Sequence, residues 1–170
     1  QVMAFELDNG GPPGSRRPGG YPSSIMGSVA LARQSLLDAG WAREAARLYA
    51  TSRGVTRPHD DVSLRALSAV LPAYGKQPLW MVTGDVLGCL RADAVAREFG
   101  CDAVLLGNGD EYRYLEALRA AGRPFVLQVN FPEPPRVEDD DEALDVDLEA
   151  LRHWDTAADN PRRMQAAGIP

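Results

Sequence analysis

Three short polar stretches carry the side chains best placed for chemistry: Thr83-Gly84-Asp85, Gly107-Asn108-Gly109-Asp110, and Asn130. Each follows a short apolar run, and the first two precede a helical pattern. In parallel α/β folds, ligands lie at the C-terminal ends of the strands. Thr83, Asp85, Asn108 and Asn130 are therefore the candidate substrate-binding residues, offering a hydroxyl, a carboxylate and two amides to a small polar molecule. A structural duty competes at each place. Asp85 and Asp110 stand where an N-cap accepts the first free N–H groups of a helix. Asn130, as a buried amide ahead of Phe131-Pro132, needs partners and would fix a loop. Gly107-Asn108-Gly109 has the composition of a tight turn and is weak as a phosphate motif.

No catalytic group joins them. His59 sits in a turn far upstream, and His153 sits beside Trp154 on a helix. Neither has a partner at metal-ligand spacing, and no Cys or carboxylate cluster completes a set. There is no Gly-x-Ser-x-Gly elbow, and the glycines between 10 and 20 lack the Gly-Lys-Ser/Thr ending of a phosphate loop. The expectation is a stretch with no catalytic residue and no cofactor of its own. With 18 basic and 24 acidic residues and a net charge of -6, the chain lacks the basic face of a nucleic-acid binder. No apolar run reaches the roughly 18 residues of a membrane span. Cys89 and Cys101 are too few for a disulfide framework and read as free, partly buried thiols. The acidic run Glu138–Glu142 follows Pro132-Glu133-Pro134-Pro135. Metal or partner binding is one reading. The stronger one is a solvated helix start, because adjacent acids repel and are favoured at a helix N-terminus.

The elements that must position these residues are legible from glycine and apolar spacing. Residues 1–22, with Gly10, Gly11, Pro12, Pro13, Gly14, Pro18, Gly19 and Gly20, read as a loop or linker. From residue 23 to 170 the chain reads as one domain. Ser23 or Ser24 caps a first helix with Ile25, Val29, Leu36 and Leu37 in its stripe, stopping at Gly40. A second runs from Trp41 to Thr51, and a third from Val62 to Val70 behind the turn Arg57–Asp61. Then a cadence sets in. Gly75, Gly100 and Gly122 each end a helix, and a short link leads to Leu79–Val82, Ala103–Leu106 and Phe125–Val129. Near-continuous apolar runs suit parallel strands buried on both faces. Helices Val86–Phe99 and Glu111–Ala121 lie between them, giving a right-handed βαβαβ unit. A further helix is expected from Glu142 to Trp154. Asn160-Pro161 then reads as a cap and a first-turn proline, and Gly168-Ile169-Pro170 repeats the ending at Gly122-Arg123-Pro124. Another strand is expected to follow Pro170, so the chain reads as truncated there, just as its first residue, Gln1, implies a start further upstream.

In order and spacing, these segments resemble the amidohydrolase superfamily near its imidazolonepropionase-related branch. Tyr21–Asp38 resembles the segment before the second half of the barrel. Pro78–Val82 with Arg91–Gly100 resembles the fifth strand and helix, Ala103–Tyr112 the sixth, and Ala117–Leu127 the run into the seventh. Leu151–Trp154, Asn160-Pro161 and Ala167–Pro170 resemble the helix leading to the eighth. The resemblance implies part of a (β/α)8 TIM-type barrel, strands five to seven with flanking helices. It implies hydrolysis of C–N or related bonds by a water activated by zinc or a similar divalent metal. The family holds its metal with a His-x-His after the first strand, a Lys or Glu at the fourth, a His ending the fifth, a His ending the sixth, and an Asp at the eighth. Here Thr83 stands at the fifth-strand place and Gly107 at the sixth, and no histidine lies between His59 and His153. Neither Thr nor Gly replaces imidazole as a ligand.

Three functions follow. The chain is an arc of an amidohydrolase-like barrel without the usual metal site, not catalytic alone, partnered by the rest of that barrel and serving an active domain as scaffold or substrate-shaping surface. Or it belongs to an active hydrolase whose ligands come from other strands, with Asp85, Asn108 or Asn130 binding a small-molecule substrate. Or it is a doubly wound, non-catalytic small-ligand domain, with Thr83, Asn108 and Asn130 lining one crevice.

Overall fold

The computed structural model of the chain describes residues 3–6, 22 and 24–170. Among these residues it is an α/β structure with four strands: β1 (Met3–Glu6), β2 (Leu79–Val82), β3 (Ala103–Leu106) and β4 (Phe125–Val126). They form a single sheet in the order β1-β2-β3-β4, and every neighbouring pair is parallel. Leu79 stands opposite Met3 on one side and Ala103 on the other. The order never reverses, so these strands contain no switch point of the kind that forms the crevice of a doubly wound sheet.

β1 corrects the reading of residues 1–22 as loop or linker. Met3–Glu6 pair with β2 along its whole length, and a four-residue stretch with three apolar residues, too short to stand out locally, is recruited by the neighbouring strand. The glycine- and proline-rich stretch at 7–21 lies outside the described residues.

The connections are helices. α1 (Ile25–Thr51) begins at Ser24, whose side chain accepts from the Gly27 N–H, and runs unbroken through Gly40. The expected stop at Gly40 does not occur. An interior glycine costs roughly 1 kcal/mol, and the burial of Ala32, Leu36 and Ala39 outweighs that. α2 (Val62–Leu67) is capped by Asp61 and tightens into a 3-10 turn at Ser68–Val70, as spacing predicts. α3 (Val86–Phe99) has the predicted limits. It ends because Gly100 takes φ +65, a left-handed conformation that costs glycine little, and Cys101 N then bonds back to Ala96 O. The predicted helix at Glu111–Ala121 is a 3-10 turn, Glu111–Arg113, followed by α4 (Leu115–Ala121).

The last third departs further from expectation. β4 has two residues and not five, so Asn130 lies in irregular backbone. The expected helix Glu142–Trp154 is two helices, α5 (Asp140–Asp145) and α6 (Leu148–Ala157). Asp147 supplies the reason: its carboxylate caps Ala150 N and starts a new helix where one was to continue. The acidic run acts as expected. Asp139 caps α5, and Asp140, Asp141 and Glu142 fill its first turn. In α7 (Asn160–Ala166) Pro161 lies in the first turn as predicted, but Asn160 is helical and its side chain does not cap.

The core lies between the sheet and α1, α3 and α4. Leu79, Met81, Ala103 and Leu105 face Leu36, Cys89, Ala92, Val95 and Leu118 in one cluster. Trp80, Val82, Val104 and Leu106, on the other face, are only half-buried. The runs were expected to be buried on both faces, and here one face is closed.

Candidate functional site

Thr83, Asp85 and Asn108 gather at the C-terminal ends of β2 and β3, and each is engaged with the protein. Thr83 is buried. Its Oγ1 donates to Leu106 O at 3.0 Å and lies 3.0 Å from Cys89 Sγ. Thr83 thus joins β2 to β3 and to the first turn of α3. Asp85 is the N-cap of α3, accepting from Gly88 N. Arg91 Nη1 lies 3.7 Å from its Oδ1. Asn108 donates from Nδ2 to Gly84 O at 2.7 Å, and its Oδ1 accepts from Asp110 N at 3.3 Å. The loops after β2 and β3 are therefore tied side by side. Asn130 does not join this group. It is exposed, in the irregular segment after β4.

Two residues that sequence reasoning missed organise this end of the sheet. Glu111 is fully buried. Its Oε1 accepts from the backbone N–H groups of Asn108 (2.8 Å) and Gly109 (3.2 Å), and its Oε2 accepts from Asn160 Nδ2 at 2.5 Å. A buried carboxylate is tolerated when donors converge on it. Only folding brings residue 160 to residue 111. Locally, Glu111 looks like one more acid at a helix start, and Asn160 like a cap. Beside them, Asp110 makes no side-chain cap bond, and its Oδ1 is buried without a partner. Burial first, then the neighbouring Glu111 carboxylate, push its carboxyl above the ordinary range.

At Gly107, the last residue before this loop, a Cβ would meet Glu111 Oε1 at 1.8 Å and Cδ at 2.6 Å. Glu111 thus fills the space a side chain at 107 would need. His153, beyond the loop, hydrogen-bonds through Nδ1 with Tyr112 OH at 3.2 Å, and the two rings stack with centroids 6.1 Å apart. Among the described residues, no three His, Cys, Asp or Glu converge with metal-binding geometry, and both cysteines are free and buried.

The concavities among the described residues that are large enough for a small molecule include two of about 400 Å³ or more. One, of ≈ 450 Å³, lies between the segment after β4 and α6, with Pro132, Arg136, Asp147, His153 and Trp154 in its wall. None of the four candidate residues lines it. The other, of ≈ 400 Å³, belongs to the helical layer, between α1 and the connection 57–61 around His59. The strand-end arrangement itself can orient polar groups and exclude water.

No helix among the described residues is long and apolar enough to cross a membrane. No family model matches the chain, and no curated protein does. Among solved structures it resembles the crystal structure of an amidohydrolase from Thermotoga maritima MSB8, with a TM-score of 0.56 and 20% sequence identity. The match covers 81% of this chain and 34% of that one, so the chain spans about a third of that protein. What the two share is the fold: consecutive parallel βα units.

Proposed function

We propose that this chain is an arc of an amidohydrolase-like (β/α)8 barrel of the imidazolonepropionase-related kind, with β1 to β4 at the places of strands four to seven, and that it shapes a substrate site without holding the metal. Sequential parallel order and a half-buried second face, carrying Trp80, Val82, Val104 and Leu106, suit a sheet that closes with that face inward. The single observation that carries the functional part is the state of the two strand ends. Thr83 spends its hydroxyl on Leu106 O and Cys89, and Gly107 has no side chain and no room for one. The residues present at the fifth- and sixth-strand places do not fit a divalent metal. In the barrel they form a fixed polar rim, with the outer side of Asp85 and the exposed Asn130 turned to a small-molecule substrate or to the active part of the protein.

A second reading keeps the whole protein an active hydrolase. Its support is Glu6, which ends β1 and stands opposite Val82 at the end of β2. The family carries a Lys or Glu at its fourth strand.

Metal analysis of the purified full-length protein separates the two. The first reading expects substoichiometric zinc that does not change in Glu6→Gln. Stoichiometric zinc that is lost in Glu6→Gln, together with hydrolytic turnover that falls when Asp85 or Asn130 becomes alanine, replaces it with the second.

A further inference from the structure

Gly107 is not in the left-handed region, so nothing in its backbone requires glycine. Space does: any Cβ there lands on the Glu111 carboxylate, 1.8 Å from Oε1. That carboxylate is buried, holds two backbone N–H groups and the Asn160 amide, and has no ion-pair partner among the described residues.

We infer that Glu111 and Asn160 are a positioning pair that closes the end of β3 to any ligand-bearing side chain and fixes the loop that carries Asn108. The closure rests on the proposed function only in identifying this end with the family's sixth-strand metal place. The clamp is a property of the chain itself.

The pair works through Asn108. Glu111 holds the backbone N–H groups of Asn108 and Gly109, which sets the loop so that Asn108 Nδ2 reaches Gly84 O on the neighbouring loop. Through Asn160, 49 positions away, the same carboxylate anchors α7. The contact leaves a mark. The carboxylate engages the amide nitrogen alone, and Asn160 Oδ1 is buried with no hydrogen-bond partner among the described residues. Glutamine at 111 would keep the volume and the acceptor for the loop. Its amide would also give the Asn160 oxygen a donor once that side chain turns over.

The experiment is a double-mutant cycle in the full-length protein with Gly107→Ala, Glu111→Ala, the pair together, and Glu111→Gln. Thermal melting and amide exchange are the readouts. Gly107→Ala is expected to lower Tm by more than about 5 °C in the wild-type background and by less than half of that beside Glu111→Ala. Glu111→Ala should speed exchange at the Asn108 and Gly109 amides about tenfold or more, while Glu111→Gln leaves both exchange and Tm near wild type. The same Tm loss from Gly107→Ala in both backgrounds overturns the inference. So does a Glu111→Gln variant as damaged as Glu111→Ala. If Glu111→Ala does not fold, the decision falls to Glu111→Gln: protected loop amides and an intact penalty for Gly107→Ala support the clamp, and exposed amides end it. Failure here is distinct from failure of the functional reading. Coupling between 107 and 111 in a protein with stoichiometric zinc keeps the clamp and removes the vacant-site reading. A zinc-free protein without coupling does the reverse.

Discussion

Cys89 shows how far burial governs single side chains here. Its thiol is pushed up to about 11, chiefly by burial, against a hydrogen bond with Thr83 that lowers it and helped by the carboxylates of Glu111, Asp110 and Asp85. Burial also raises Cys101. A thiol held this high is protonated and unreactive at pH 8, so a thiol reagent is expected to label neither cysteine at that pH until the protein is denatured. Rapid native labelling would contradict the packing around Cys89. The stability linkage has a definite sign. Below the ordinary value of 9.0, folded and unfolded thiols are both protonated and the contribution is complete. Above it the unfolded thiol ionises first, and on the order of 2 kcal/mol is lost by about pH 11. Asp93 makes the same point for charge. It accepts from Arg97 Nε at 2.7 Å and from Arg123 Nε at 2.8 Å. Arg123 also donates to Cys101 O, and Arg97 to Ala121 O. One carboxylate on α3 therefore secures both links that lead into strands.

Among the elements, the βα units were the most legible. Val86–Phe99 could be read to the residue, because Asp85 caps it, Gly100 stops it, and its apolar stripe lies against the sheet. Where the reading went wrong, a local signal was overruled by packing or by a second local signal. Gly40 looked like a stop, but α1 gains more by continuing to bury its inner face. Asp147 falls inside the helix expected over 142–154, and its capping bond starts a second helix there. Gly40 also offers a test. A Cβ there meets only Leu71 Cδ1, at 3.6 Å, an ordinary contact. Gly40→Ala should therefore stabilise the protein by about 0.5–1 kcal/mol, seen as a higher midpoint in urea. A lower midpoint would mean that α1 needs the glycine for a closer approach than the structure has.

At the scale of the whole molecule, strand N–H groups reach across to carbonyls of later segments. Leu79 N donates to Asp102 O, Leu105 N to Pro124 O, and Phe125 N to Pro170 O. In the first two pairs the acceptor immediately precedes the next strand. β4 is the last strand on its side among the described residues, and near it Val126, Val129 and Phe131 are exposed. Open parallel edges with apolar flanks invite pairing. Residues 1–170 expressed alone are expected to self-associate or to melt at a temperature that rises with protein concentration. A sharp, concentration-independent melt of a monomer would show that this edge needs no cover.

Sequence alone determined the parallel βα order, the limits of α3, the cap position at Asp85, and the two strands that end at Val82 and Leu106. These depend on period, caps and glycines within a few residues of each other. Tertiary structure alone decided that Met3–Glu6 is a strand, that Asn130 stands apart from the other three candidates, and that Glu111 meets Asn160 beneath the loop after β3. Those outcomes join positions tens of residues apart. Hydrogen bonds and burial across such gaps exist only once the sheet has assembled, and no local pattern encodes them.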